Sequence, residues 1–271
     1  MAIPTTKPFF SDNKLFFNCF SNFCYNYIKN LIFFYNIFIK KMIKAIFFDV
    51  FGTLVDWRTS IVELGIKILK NSEYKIDWDK LAINWRLKYQ PSLLKINKNK
   101  WKNLDEIHME TLEEVLKAMK ISFIKRIEKD KLIKCWHSLK AWNDSCRAIE
   151  NLNKSFITAT LSNGHLALQK KLIKKNNFKI DILFSAEHFK KYKPDKIVYF
   201  GAAKYLNLKP SECALVASHK SDLMAASSCG FRTIYISRKE EYGKYSKKIA
   251  KVNFKADITI NSLNEIEKKL K

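Results

Sequence analysis

The sequence predicts an α/β fold: a Rossmann-like, doubly wound parallel sheet with a helical cap domain inserted after its first strand. Three observations predict it. From residue 43 onward, short apolar runs alternate with amphipathic stretches, as strands alternate with the helices that cross between them. Residues 57–140, between the first run and the second, show only helical spacing. Polar residues close the apolar runs, where an open parallel sheet leaves room for ligands.

The first strand covers 43–50, a short apolar run ending in a polar turn, as a buried parallel strand does. The insert follows. Leu104, Ile107, Leu112, Val115, Leu116 and Met119 recur at helical spacing with charges between them. Further strands are expected at 156–161, 180–185, 213–217, 233–236 and 257–260. The turn Ser162-Asn163-Gly164 closes the second. Helices fill the gaps, at about 165–176, 195–206, 222–229 and 262–270, and Gly230 stands where a helix C-cap belongs. Residues 43–56 and 141–271 are read as the core domain and 57–140 as the cap.

Residues 1–42 read differently. They are crowded with Phe, Asn and Tyr, and their longest apolar run, 31–39, is interrupted by Asn36. A membrane span needs about 20 apolar residues, so no span is expected. A signal-like or interfacial anchor is the alternative, but no basic n-region precedes the run and no small-residue cleavage site follows it. Met42 opens a natural domain start, so we read 1–42 as an N-terminal extension.

Composition narrows the function. Hydrophobic residues make up 47% of the 271, enough for a sizeable core. The formal charge is +24, but Lys is spread from Lys7 to Lys271 among many Ile, Asn and Phe. That is how an AT-rich coding bias reads. With no basic stripe or binding motif, nucleic acid is not an expected partner. The charge still favours a small anionic substrate. Of the six cysteines, Cys19 and Cys24 lie close but lack a second pair or a His cluster for zinc. Cys213 and Cys229 sit among apolar or small residues and read as buried thiols. A reducing cytoplasm is the expected location.

The chemistry concentrates at strand ends. Asp49 closes the first strand, Gly52 permits a tight turn, and Thr53 can donate back to the carboxylate. A carboxylate held this way can act as a nucleophile and form an ester that water later opens. Alone, such an Asp is as readily a turn former. Ser162 and Asn163 offer a hydroxyl and an amide. Lys193, in Tyr192-Lys193-Pro194-Asp195, offers a point charge. Tyr199 follows six residues later, and Asp222 sits where it could cap the helix beginning near it.

In this order the four segments resemble the motifs of the haloacid dehalogenase superfamily, over roughly residues 43–270. Each motif alone is weak, but four in order are a strong joint signal. The resemblance implies that Asp49 is the nucleophile. Two substitutions set the subclass. Phosphatases of the superfamily carry an Asp as general acid where this chain has Phe51, and a magnesium-binding Asp where it has Ser218. Phosphoryl transfer would lack its electrostatic support, and a phosphatase-like hydrolase of the same superfamily acting on a small phosphorylated metabolite is the alternative reading. Phe51 makes the pocket apolar, which suits an alkyl halide. No metal and no cofactor are expected.

The chain is similar in particular to the L-2-haloacid dehalogenases. Trp85-Arg86-Leu87-Lys88-Tyr89 matches their cap helix, so Arg86 takes the role of halide acceptor. Asn163 assists it, and Ser162 and Lys193 bind the substrate carboxylate. Asp222 helps activate water. Thr53 and Tyr199 complete the site, with Leu54 and Trp101 as its apolar wall. The family often dimerises through the cap, so a homodimer is one implied assembly. Departures are His219 for the family's Asn, Ala217 for a Ser, and Ser221 for a Trp. His219 polarises the hydrolytic water or fills the Asn's hydrogen-bonding place. These readings stay open.

Overall fold

The first strand does sit at the centre of a sheet. The computed structural model describes residues 43–70, 73, 75–96, 100–248 and 252–270. Strand β1 (Ala45–Phe48) pairs in parallel with β4 (Ile157–Ser162) on one side and β6 (Cys213–Ala217) on the other. Two more parallel strands, β7 (Arg232–Ile236) and β8 (Ile258–Ile260), extend one edge, and β5 (Ile182–Ser185) closes the other. The order is β5-β4-β1-β6-β7-β8. The chain moves to opposite sides of β1 in its two halves, so β1 lies at the switch point where such sheets open a crevice.

Strand alternation divides the core between the two faces of the sheet. Ile46 and Phe48 point into one cluster, with Trp57, Leu152, Val216 and Ile234. Ala45 and Phe47 point into the other, with Leu161, Val198, Leu215 and Leu223. Cys213 and Cys229 are buried free thiols in that second cluster.

The insert after β1 enters and leaves through a two-residue ribbon, β2 (Val55–Asp56) paired antiparallel with β3 (Lys140–Ala141). Between them run α1 (Trp57–Ile68), α2 (Trp78–Ile96), α3 (Leu104–Ala118) and α4 (Arg126–Cys135). Local signals start these helices. Asp56 accepts a hydrogen bond from the Thr59 amide, and Asn103 and Glu106 form a reciprocal capping box. Helix α3 buries Leu104, Ile107, Leu112, Val115 and Leu116, the stripe read from the sequence.

After the insert come α5 (Ser145–Leu152), α6 (Leu166–Asn176), α7 (Ala186–Phe189), α8 (Lys196–Tyr205), α9 (Lys220–Ser228) and α10 (Ile266–Leu270). The ribbon and α5 go beyond the sequence reading. Two-residue strands and an eight-residue helix are too short for periodicity to register. Residues 43–271 form one compact unit. No helix among the described residues is long and apolar enough to cross a membrane. The reading of 1–42 as an extension lies outside the described residues.

Candidate active site

Asp49 leaves β1 with its backbone amide still donating to Val216 O, so the end of β6 fixes its direction. The chain then curls tightly. Gly52 adopts φ +86°, open to glycine at little cost, and its amide donates to Val55 O at 3.0 Å. The curl brings Thr53 under the carboxylate. Thr53 Oγ1 donates to Asp49 Oδ2 at 2.8 Å and accepts from the Ser218 amide at 2.9 Å. One hydroxyl therefore ties the loop after β1 to the loop after β6.

The other carboxylate oxygen meets a cation. Lys193 Nζ donates to Asp49 Oδ1 at 3.0 Å and to Asp222 Oδ2 at 2.5 Å. The Lys193 amide donates to Asn163 Oδ1, which joins this loop to the end of β4. Tyr199, on α8, donates to Asp222 Oδ1 at 2.5 Å. Asp222 in the first turn of α9 thus has both oxygens engaged.

His219 stands on the remaining side of Asp49. Its Nδ1 is 3.3 Å from Asp49 Oδ2, and its Nε2 is 2.8 Å from Glu241 Oε1. Glu241 is buried and also receives Trp57 Nε1 at 2.8 Å and Ser218 Oγ at 3.3 Å.

These contacts set the charges. Burial pushes the Asp49 carboxyl up, but Lys193 and then His219 outweigh it and hold it well below the usual range. Burial also opposes the charge on Lys193, and Asp222 and Asp49 more than restore it. His219 is raised well above an ordinary imidazole because Glu241 overcomes burial. Burial leaves Asp222 raised against the pull of Lys193.

A cavity of about 190 Å³ opens beside Asp49. Phe51, Tyr89 and Leu94 give it apolar walls, and Arg86, Asn163, Lys193 and His219 give it polar ones. Arg86 is 7% exposed, and its guanidinium lies 5.6 Å from the Trp57 ring centroid and 4.5 Å from that of Tyr89. Its Nη1 has no hydrogen-bond partner among the described residues, and no carboxylate pairs with it.

A family model described as a haloacid dehalogenase-like hydrolase matches residues 43–230. The chain belongs to that family. It is 28% identical over 209 residues to (S)-2-haloacid dehalogenase 1 of Pseudomonas sp. (strain CBS-3), covering 75% of this chain and 88% of that one. To (S)-2-haloacid dehalogenase 4A of Burkholderia cepacia it is 27% identical over 207 residues, covering 75% and 87%. Among solved structures, an L-2-haloacid dehalogenase superposes with a TM-score of 0.78 at 31% identity, covering 84% of this chain and 98% of its own. A defluorinating L-2-haloacid dehalogenase gives 0.78 at 32%, covering 84% and 95%.

Within this haloacid dehalogenase-like fold, Asp49, Thr53, Arg86, Asn163, Lys193, His219, Asp222 and Phe51 come together at the cavity or hold groups that do. Four expected residues stand elsewhere. Leu54 is fully buried and lines a separate small void with Val50, Thr160 and Leu172. Trp101 stacks on Tyr192 with ring centroids 4.5 Å apart, joining the approach to α3 to the loop before Lys193. Ser162 is fully buried, with its Oγ accepting from the Gly164 amide, so it closes the turn instead of facing the cavity. Tyr199 lies behind Asp222 and supports it. The apolar wall is made instead by Tyr89 and Leu94, at helical spacing from Arg86 on α2.

Some members of the wider fold hold magnesium. A hard cation needs several oxygen ligands. Around Asp49 the partners are an ammonium, an imidazole and a hydroxyl, and Ser218 has no carboxylate. This donor set does not fit a magnesium ion. The sequence reading missed Glu241, which looks like one more solvated charge in Arg238-Lys239-Glu240-Glu241. Its position just past the end of β7, level with the other strand ends, is the available signal.

Proposed function

We propose that the protein hydrolyses short L-2-haloacids to 2-hydroxy acids and halide through an ester on Asp49. The observation that carries this reading is Arg86. A buried guanidinium lining the Asp49 cavity, with an N–H unbonded and no carboxylate in ion-pair contact among the described residues, calls for an anion. A departing halide supplies one, and desolvated donors stabilise it as its charge develops.

In this reading, Asp49 is ionised and aimed into the cavity, and its oxygen attacks the halogen-bearing carbon opposite the leaving group. The carbon inverts. Arg86 and Asn163 receive the halide, while Lys193 holds both Asp49 and the substrate carboxylate. Water then opens the ester at the Asp49 carbonyl carbon and releases the hydroxy acid. Helices α1–α4, residues 57–140, act as the cap that brings Arg86 over the end of β1. Phe51 supports the choice of electrophile, since a phosphatase would need a proton donor at that place. The match to (S)-2-haloacid dehalogenases over most of the described chain supports it as well.

Halide release from chloroacetate and L-2-chloropropionate tests the reading, with and without EDTA. We expect release unaffected by EDTA and abolished in Asp49→Asn. No release from any small haloacid would overturn the substrate assignment.

A further inference from the structure

Opening the ester requires a base, and the carboxylate expected to serve is poorly placed for it. Asp222 Oδ2 is taken by the Lys193 ammonium at 2.5 Å and Oδ1 by the Tyr199 hydroxyl at 2.5 Å. Thr53 and Ser218 already donate to carboxylates. His219 is different. Its ring lines the cavity, with one nitrogen 3.3 Å from Asp49 and the other held by Glu241 at 2.8 Å. Glu241 is fixed in turn by Trp57 from α1 and by Ser218. A base oriented by a buried carboxylate, beside the reacting group, is the recurring arrangement for activating a nucleophile.

We propose that His219, oriented by Glu241, is the general base that opens the Asp49 ester. The proposal rests on the ester reading above. In the resting enzyme His219 carries a proton, because Glu241 outweighs burial and Asp49 adds to it. Alkylation removes the negative charge of Asp49. His219 then faces one anion instead of two, so its Nδ1 proton is held less tightly, and the fraction of rings that lose it to solvent supplies the base. This is the proton that hydrolytic dehalogenation must yield along with the halide.

The neutral Nδ1, with Nε2–H still on Glu241, takes a proton from a water in the cavity. The water oxygen bonds to the ester carbonyl carbon. The tetrahedral adduct breaks its bond to the bridging ester oxygen, which leaves with the substrate carbon as an alkoxide and takes the proton from His219. The new Asp49 carboxyl gives its proton back to His219, restoring the starting pair. Loss of the Asp49 charge thereby makes the neutral form of His219, which acts as base, easier to reach. Glu241 is a positioning residue in this scheme.

The test follows halide and ester together in a rapid-quench experiment with L-2-chloropropionate. In His219→Gln we expect one equivalent of halide per site at close to the wild-type rate, then turnover slowed by about 10²–10³-fold. Intact mass should show the Asp49 ester accumulating. In Glu241→Gln the loss should be smaller. The pH at which ester breakdown reaches half its maximum should move down, because the neutral ring is then easier to reach. A merely structural role would not move that profile. The proposal is overturned if His219→Gln turns over without ester build-up, or if the first equivalent of halide is lost. Absent wild-type turnover would overturn the dehalogenase reading itself, and this proposal with it.

Discussion

Gly52 and Glu241 are in contact so close that only a hydrogen fits between them. A Cβ on Gly52 would lie 2.2 Å from Glu241 Oε1 and 3.0 Å from His219 Cε1. The turn that presents Asp49 and the carboxylate that holds His219 therefore share one space. Gly52→Ala should be destabilised by ~2–3 kcal/mol, from the positive φ and the displaced carboxylate. Differential scanning calorimetry should read this as a Tm lower by roughly 5–10 °C. The variant should also turn over more slowly than its remaining folded fraction explains.

Arg86 makes a second prediction. Arg86→Lys keeps a charge but loses the planar fork that rests on Tyr89 and Trp57. With chlorinated substrates kcat should fall by about 10²–10³-fold, on the scale of removing one transition-state donor. Inhibition by added chloride or bromide should weaken in parallel. Unchanged halide inhibition with a reduced kcat would place the halide elsewhere.

His108, on α3, makes stability depend on pH. Its ring is buried, stacks on Trp136 at 4.3 Å, and has neither nitrogen hydrogen-bonded among the described residues. Burial lowers its pKa from 6.5 to about 3. The native state keeps it neutral, while the unfolded chain protonates it below pH 6.5. The depressed value means that stability present above pH 6.5 is lost as pH falls towards 3, at about 1.4 kcal/mol per unit. Denaturant titrations at pH 6.5 and 5 should show wild type losing about 2 kcal/mol more than His108→Phe. Equal losses would mean that the ring is reached by water.

Much of this molecule was legible in its sequence. The six parallel strands follow from apolar runs closed by polar residues, and Asp49, Lys193 and Asp222 follow from motif order. The failures share a cause. Leu54 and Trp101 have the right composition for a pocket wall, and Ser162 for a carboxylate donor, but side-chain direction depends on the turn each residue occupies. Glu241 lies 192 residues beyond Asp49 in number, and no local pattern marks a charge that folding buries. Phe51, by contrast, was legible because it stands two residues from Asp49 and the curl at Gly52 keeps it there.

The central claim is that the oxygen of the product comes first from Asp49. It is tested most directly by a single turnover in heavy-oxygen water with enzyme in excess over L-2-chloropropionate. Attack by Asp49 gives a first product without label and puts the label in the Asp49 peptide. Label in the first product, with none in Asp49, would mean that water attacks the substrate directly and would contradict it.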